Sequence, residues 1–189
     1  MPTEIKKEIR LEIAHVLFID IVGYTKLLIN EQLEHLEKLR EIARGTETFR
    51  AAQREGKLMR LPTGDGGALV FRTNPEAAVN CAIEIARELK KHPAMRVRMG
   101  IHSGPVKEVT DLSEQGNIAG AGVNIAQRVM DCADAGHIFR STCSISTPTS
   151  LEIQNARSGP HAVRKANARS TSSLRRFRKN QSRCCRLKI

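Results

Sequence analysis

The chain has 189 residues, 40% of them hydrophobic and 27% charged, with a formal net charge of +11. That apolar content builds one core of ordinary size and excludes wholesale disorder. No run approaches the roughly 18 consecutive apolar residues of a membrane span, which excludes membrane insertion as a sequence expectation. The charge is uneven: residues 1–140 carry 20 Lys and Arg against 19 Asp and Glu, whereas residues 141–189 carry 11 against the single acid Glu152. The balanced first part gives no reason to expect specific nucleic-acid binding.

The N-terminus, MPTEIKKEIRLEIAH, is charged from the start and lacks the apolar stretch of a signal peptide, so a cytoplasmic location is expected. Cys81, Cys132, Cys143, Cys184 and Cys185 show no CxxC or zinc spacing, and reduced thiols are expected.

Residues 11–22 are rich in Ile, Val and Leu and predict a buried strand ending near Asp20. Gly23 breaks it. Tyr24 to Arg50 is helical in character, with Leu33, Leu36, Leu39, Ile42 and Ala43 at three- and four-residue steps. Asn30 caps or interrupts this region, which leaves one helix or two open. Two short apolar runs, 58–61 and 68–72, flank PTGDGG and predict a hairpin.

Asn74-Pro75 opens a helix that runs to about Lys91 through Ala78, Cys81, Ala82, Ile85 and Leu89. MRVRMGIHSG alternates as a strand, residues 105–117 read as a polar excursion, and VNIAQRVMDCAD reads as a helix ended by Gly136. HIFRS begins a further strand. The order suits an α+β, ferredoxin-like sandwich with helices on one face of a mainly antiparallel sheet.

At Ser141 the periodicity stops. The chain therefore divides into a lead-in, 1–12, a folded domain, 13–140, and a basic Ser/Arg-rich tail, 141–189, that reads as disordered or divergent. Its basic residues show little aromatic interleaving, so a solvated tail is favoured over a nucleic-acid or membrane arm.

Two carboxylates invite a chemical reading. Asp20 ends the first strand and Asp65 lies in the turn between the next two, so strand ends could bring both to one hard cation. The backbone after Asp20, at a helix start, would offer N–H groups to phosphate. Asn124 and Arg128, four apart, share one helix face, and a guanidinium beside an amide can stabilise charge on a transferring phosphate. Spacing alone favours plainer readings: an Asx turn at Asp65 and a solvated face at Asn124 and Arg128. His102 has no evident nucleophile or carboxylate partner and reads as structural.

Taken together, FIDIVGYT, LPTGDGGALVF, MGIHSGPV and GAGVNIAQRVMDCADAGHI resemble, in order and separation, the catalytic domain of class III adenylate and guanylate cyclases. The resemblance covers about residues 14–140 and implies a palm-type form of the same sandwich, working as a head-to-tail homodimer with active sites at the subunit interface. It implies that Asp20, Asp65 and the Ile21 carbonyl hold two Mg²⁺ or Mn²⁺ ions, and that Val22, Gly23, Tyr24 and Thr25 hold the nucleotide phosphates. Asn124 and Arg128 would be the transition-state pair, supplied by the partner chain. The implied reaction converts a nucleoside triphosphate to its 3′,5′-cyclic monophosphate and pyrophosphate, with ATP favoured over GTP.

The sequence departs from the family pattern in two places. The base-contacting positions, usually Lys and Asp in adenylate cyclases, are Leu61 and Asn117, which form neither the adenine pair nor the guanine pair. Beyond residue 140 the family continues with further strands and commonly a triphosphate-contacting lysine, which cannot be assigned to Lys165 or any other. The break reads as a divergent terminus or an altered reading frame. The alternative function is a weak or inactive cyclase-like module that binds nucleotide or dimerises.

Overall fold

The computed structural model describes residues 11–72, 74–110, 116–141 and 184–188. In chain order the elements are β1 (Glu12–Ile21), α1 (Ile29–Gly45), α2 (Glu47–Arg54), β2 (Leu58–Pro62), β3 (Gly66–Phe71), α3 (Pro75–Leu89), β4 (Val97–Thr110), β5 (Gly116–Ala119), α4 (Ala121–Asp131), β6 (His137–Ser141) and β7 (Cys184–Lys188). The sheet runs β2-β3-β1-β4-β6-β7, with β5 paired to β4 alone. Among the described residues every pairing is antiparallel except β4 with β6. This is the mainly antiparallel α+β sandwich expected from the pattern of elements.

The alternation of β1 decides what lies on each face. Leu17, Ile19 and Ile21 point to one side and pack with Leu39 of α1, Phe49 of α2 and Ile85 of α3. Val16 and Phe18 point to the other and pack with Ala126 and Met130 of α4. The expectation of helices on a single face therefore fails for α4, whose apolar stripe of Ala126, Val129 and Met130 needs its own sheet surface. Gly100 permits that packing, because a Cβ there would lie 2.3 Å from the Met130 nitrogen.

Several boundaries differ from the sequence reading. Residues 24–50 hold a short 3₁₀ turn, Tyr24–Lys26, then two helices, and the break falls at Thr46 and not at Asn30. Thr46 makes that break: its hydroxyl donates to the Ala43 carbonyl at 2.8 Å and accepts from the Phe49 N–H at 3.4 Å, closing one helix and capping the next. Leu33, expected in the buried stripe of α1, is 60% exposed. The Asn74 cap holds, with its Oδ1 accepting from the Ala77 N–H at 2.8 Å.

The polar segment 105–117 is not simply an excursion. β4 continues to Thr110, and β5 returns beside it, with Glu108 opposite Ile118. Residues 111–115 lie outside the described residues.

Part of the basic tail also joins the sheet. Cys184–Lys188 pairs antiparallel with β6, Cys184 opposite Ser141 and Lys188 opposite His137. A tail without sheet structure is thus corrected at these five positions. The sequence signal was weak because the alternation of Cys185 and Leu187 with Arg186 and Lys188 is only four residues long and sits in a basic, Ser/Arg-rich stretch. The 1–10 part of the lead-in, Lys165 and the rest of the tail lie outside the described residues. Among the described residues no helix is long and apolar enough to cross a membrane.

Candidate active site

β1 and the β2–β3 turn bring the two carboxylates together. Asp20 pairs with Gly66 across β1 and β3, and the Ile21 N–H donates to the Asp65 carbonyl at 3.0 Å. That close approach needs glycine. A Cβ on Gly66 would sit 2.1 Å from the Ile19 carbonyl oxygen, so any side chain there would force the turn away from β1.

Asp20 is only 5% exposed and lies on the α4 side of the sheet by the alternation of β1. Burial raises its pKa above the ordinary value, and the neighbouring Asp65 carboxyl pushes in the same direction. Arg98 opposes both. Directly opposite Asp20 on β4, it donates from Nε to Asp20 Oδ2 at 2.7 Å. Its Nη2 also lies 3.5 Å from Asp131 Oδ1 on α4. The bond to Asp20 is the significant one, because Asp131 is 54% exposed and solvent screens that pair.

Sequence reasoning missed Arg98. Its signal was a lone cation on the α4-facing side of an apolar alternating strand. The β1–β4 register that places it against Asp20 is not readable from one sequence.

The donor set fits a divalent cation. Two hard carboxylate oxygens converge where one is buried and disfavoured as an anion, and a bound cation relieves that conflict. Among the described residues no group of three or more His, Cys, Asp or Glu gathers into a metal cluster. The carboxylate pair would therefore rely on backbone carbonyl and substrate oxygens for its remaining ligands.

The loop after β1 behaves unevenly. The Val22 N–H is committed to the Arg96 carbonyl at 2.8 Å, which removes it as a phosphate donor. The Gly23 and Tyr24 carbonyls accept from the Lys26 and Leu27 N–H groups, so the N–H groups of Gly23, Tyr24 and Thr25 stand at the open start of the 3₁₀ turn.

Asn124 and Arg128 are exposed on α4, opposite the stripe that packs on the sheet. Leu61 is half-buried against the α4-side core, and β2 and β5 lie near one another, which places Leu61 and Asn117 on neighbouring strands. Asn117 Oδ1 accepts from the Ile118 N–H at 2.7 Å, so part of its hydrogen-bonding capacity is already used.

His102 is buried at 5% exposure, and burial lowers its pKa, in keeping with a structural role. His15, which sequence reasoning did not single out, is also buried and its Nδ1 lies 2.7 Å from Ser103 Oγ. Among the thiols, Cys81 is buried and pushed up to about 12, and both Cys81 and Cys132 are free.

Comparison with known proteins agrees with this fold. The adenylate and guanylate cyclase catalytic domain matches residues 7–172. A Rhizobium meliloti protein named putative adenylate cyclase 3 is 30% identical over 141 residues, covering 70% of this chain, which spans only 23% of that relative's length. The guanylate cyclase domain of RhGC from Catenaria anguillulae, solved in complex with GTP, superposes with a TM-score of 0.56 at 28% identity, covering 70% of this chain and 80% of that one. The catalytic core of a rhodopsin-guanylyl cyclase with converted specificity, solved with ATPαS, gives 0.57 at 28% identity, covering 71% and 80%. The chain belongs to the adenylate and guanylate cyclase catalytic domain family.

Proposed function

We propose that the protein is a nucleotide cyclase that converts ATP, in preference to GTP, to the 3′,5′-cyclic monophosphate at sites shared between two copies of the chain. The observation that carries this reading is the convergence of Asp20 and Asp65, with Asp20 held unfavourably as an anion. Mg²⁺ or Mn²⁺ bound there would lower the pKa of the ribose 3′-hydroxyl and hold phosphate oxygens. Asp20, Asp65 and the Ile21 carbonyl would hold the ions, while Gly23, Tyr24 and Thr25 would orient the triphosphate through backbone N–H groups. Val22 is retained in that loop as a shaping residue whose N–H is already engaged.

Asn124 and Arg128 would act on the neighbouring copy, Asn124 orienting the ribose and Arg128 neutralising charge as pyrophosphate leaves. Their solvent-facing position on α4 supports a role across an interface. The preference for ATP rests on the adenylate cyclase name of the Rhizobium relative. The guanylate cyclase likenesses and the apolar Leu61 both favour a weak preference.

The test is product formation by the purified chain given manganese or magnesium and equal ATP and GTP, with the product identified by mass spectrometry. A metal-dependent cyclic nucleotide, lost in Asp65→Ala, is expected. A folded protein that binds nucleotide and yields no product would overturn the reading in favour of a binding module. Leu61 and the partly committed Asn117 favour that second reading, because neither supplies the usual polar contact to a base.

A further inference from the structure

A cavity of about 410 Å³ lies between α1 and the β2–β3 hairpin, on the side of the sheet opposite α4. Its volume falls within the range of about 300–1,000 Å³ typical of small-molecule sites. Gly67, at the same alternation as the inward-facing Leu69 and Phe71, lines the cavity and adds no side chain to it. Leu36, Leu39, Phe49 and Leu69 make its walls apolar.

Three arginines border this apolar space: Arg40 and Arg44, one turn apart on α1, and Arg60 on β2. All three are exposed, and none of their guanidiniums has an ion-pair or hydrogen-bond partner among the described residues. Three unpartnered guanidiniums repel cations and favour a carboxylate or phosphate head. A polyanion such as a nucleotide does not suit the walls, which would strip water from its charges without replacing the hydrogen bonds. An uncharged oil would leave the arginines without a role.

We infer that this cavity binds an amphipathic monoanion, specifically a medium-chain carboxylate, its tail along Leu36, Leu39 and Phe49 and its head among Arg40, Arg44 and Arg60. The Asp20 side chain lies on the opposite face of the sheet, although Ile19, Gly66 and Leu61 also line the cavity; the binding stands whether or not the chain turns over nucleotide.

The test uses the full chain without nucleotide or metal. Decanoate, decanol and acetate would each be titrated by calorimetry and by methyl NMR. Saturable one-to-one decanoate binding is expected, with shifts at Leu36, Leu39 and Leu69 and none at Ile118 or Val129. Decanol should bind at least about tenfold more weakly, because it offers no charge to the guanidiniums, and acetate should not bind.

Arg40→Gln and Arg60→Gln alter exposed side chains and should keep the fold, each weakening decanoate severalfold. Ala43→Phe, which fills the cavity, should abolish binding while circular dichroism confirms folding. Decanol binding as tightly as decanoate would overturn the charge assignment. So would decanoate binding that is unchanged in both arginine variants, or no saturable binding at all.

Discussion

Arg98 Nε donates to Asp20 Oδ2 at 2.7 Å from the directly opposite position on β4, so the carboxylate proposed to hold a metal already carries a positive neighbour. Arg98 stands in for part of a cation's charge, yet burial and Asp65 still leave Asp20 with a raised pKa.

That balance fixes the sign of one mutation. A carboxyl whose folded pKa is raised above 3.8 holds its proton to higher pH when folded than when unfolded. Stability from this group therefore declines as pH rises from about 3.8 through the raised folded value, and above that value the cost is fully present. In EDTA at pH 7.5, Asp20→Asn should unfold at higher urea than wild type, with the advantage vanishing below pH 3.8. Manganese at about 100 times its Kd should stabilise wild type by about 2.7 kcal/mol and the variant by nothing measurable. A wild-type protein more stable than the variant in EDTA would show that the Arg98 bond outweighs the burial cost.

A second expectation concerns the turn that places Asp65. Gly66→Ala puts a methyl 2.1 Å from the Ile19 carbonyl oxygen, whereas Gly67→Ala meets the Leu61 carbonyl oxygen at 3.0 Å. The first contact involves backbone that cannot swing aside, so a loss of about 3 kcal/mol is expected, at the upper end of the usual overpacking cost. The second should cost about 1 kcal/mol. Urea denaturation of both variants checks the order; equal stabilities would contradict the close approach of β3 to β1.

Much of this arrangement was legible in the sequence. The β1 run, the hairpin around PTGDGG and the Asn74-Pro75 helix start each carry a local signal: apolar clustering, turn glycines, a cap. Asp20 and Asp65 were readable because the first lies at the end of an apolar strand run and the second in a Gly-rich hairpin turn, both of which the pattern itself marks. What could not be read was register. Arg98 meets Asp20 only through the β1–β4 pairing, and β7 meets β6 across more than forty intervening residues. The break at Thr46 was missed because a hydroxyl that bonds to the chain on both sides leaves no periodic trace.

Two buried imidazoles set an acid limit. Burial lowers the pKa of His102, and burial followed by Arg140 lowers that of His15, both from 6.5. A histidine with a depressed folded pKa gives stability that is fully present above 6.5 and is lost as pH falls toward its folded value. The urea midpoint should therefore drop between pH 7.5 and pH 5.5, and His102→Gln should flatten that drop. An unchanged slope in the variant would assign the acid sensitivity to other groups.

The last expectation separates chemistry from folding at Asn124 and Arg128. Both side chains are exposed on α4, so Asn124→Ala should change stability by no more than about 0.5 kcal/mol, and Arg128→Ala, which also loses a surface contact, by no more than about 1 kcal/mol. Cyclic nucleotide formation should nevertheless fall by about 10²–10³-fold, the loss expected when a group that stabilises developing charge is removed. If the pair serves the neighbouring copy, Asp65→Ala and Arg128→Ala are each inactive alone yet complementary when mixed. Random pairing of equal amounts makes about half the dimers mixed, each with one intact site of two, so activity should return to about one quarter of wild type. Failure of the mixture to recover activity, with dimers demonstrated by sedimentation, would place Arg128 and Asp65 in the same site on one chain.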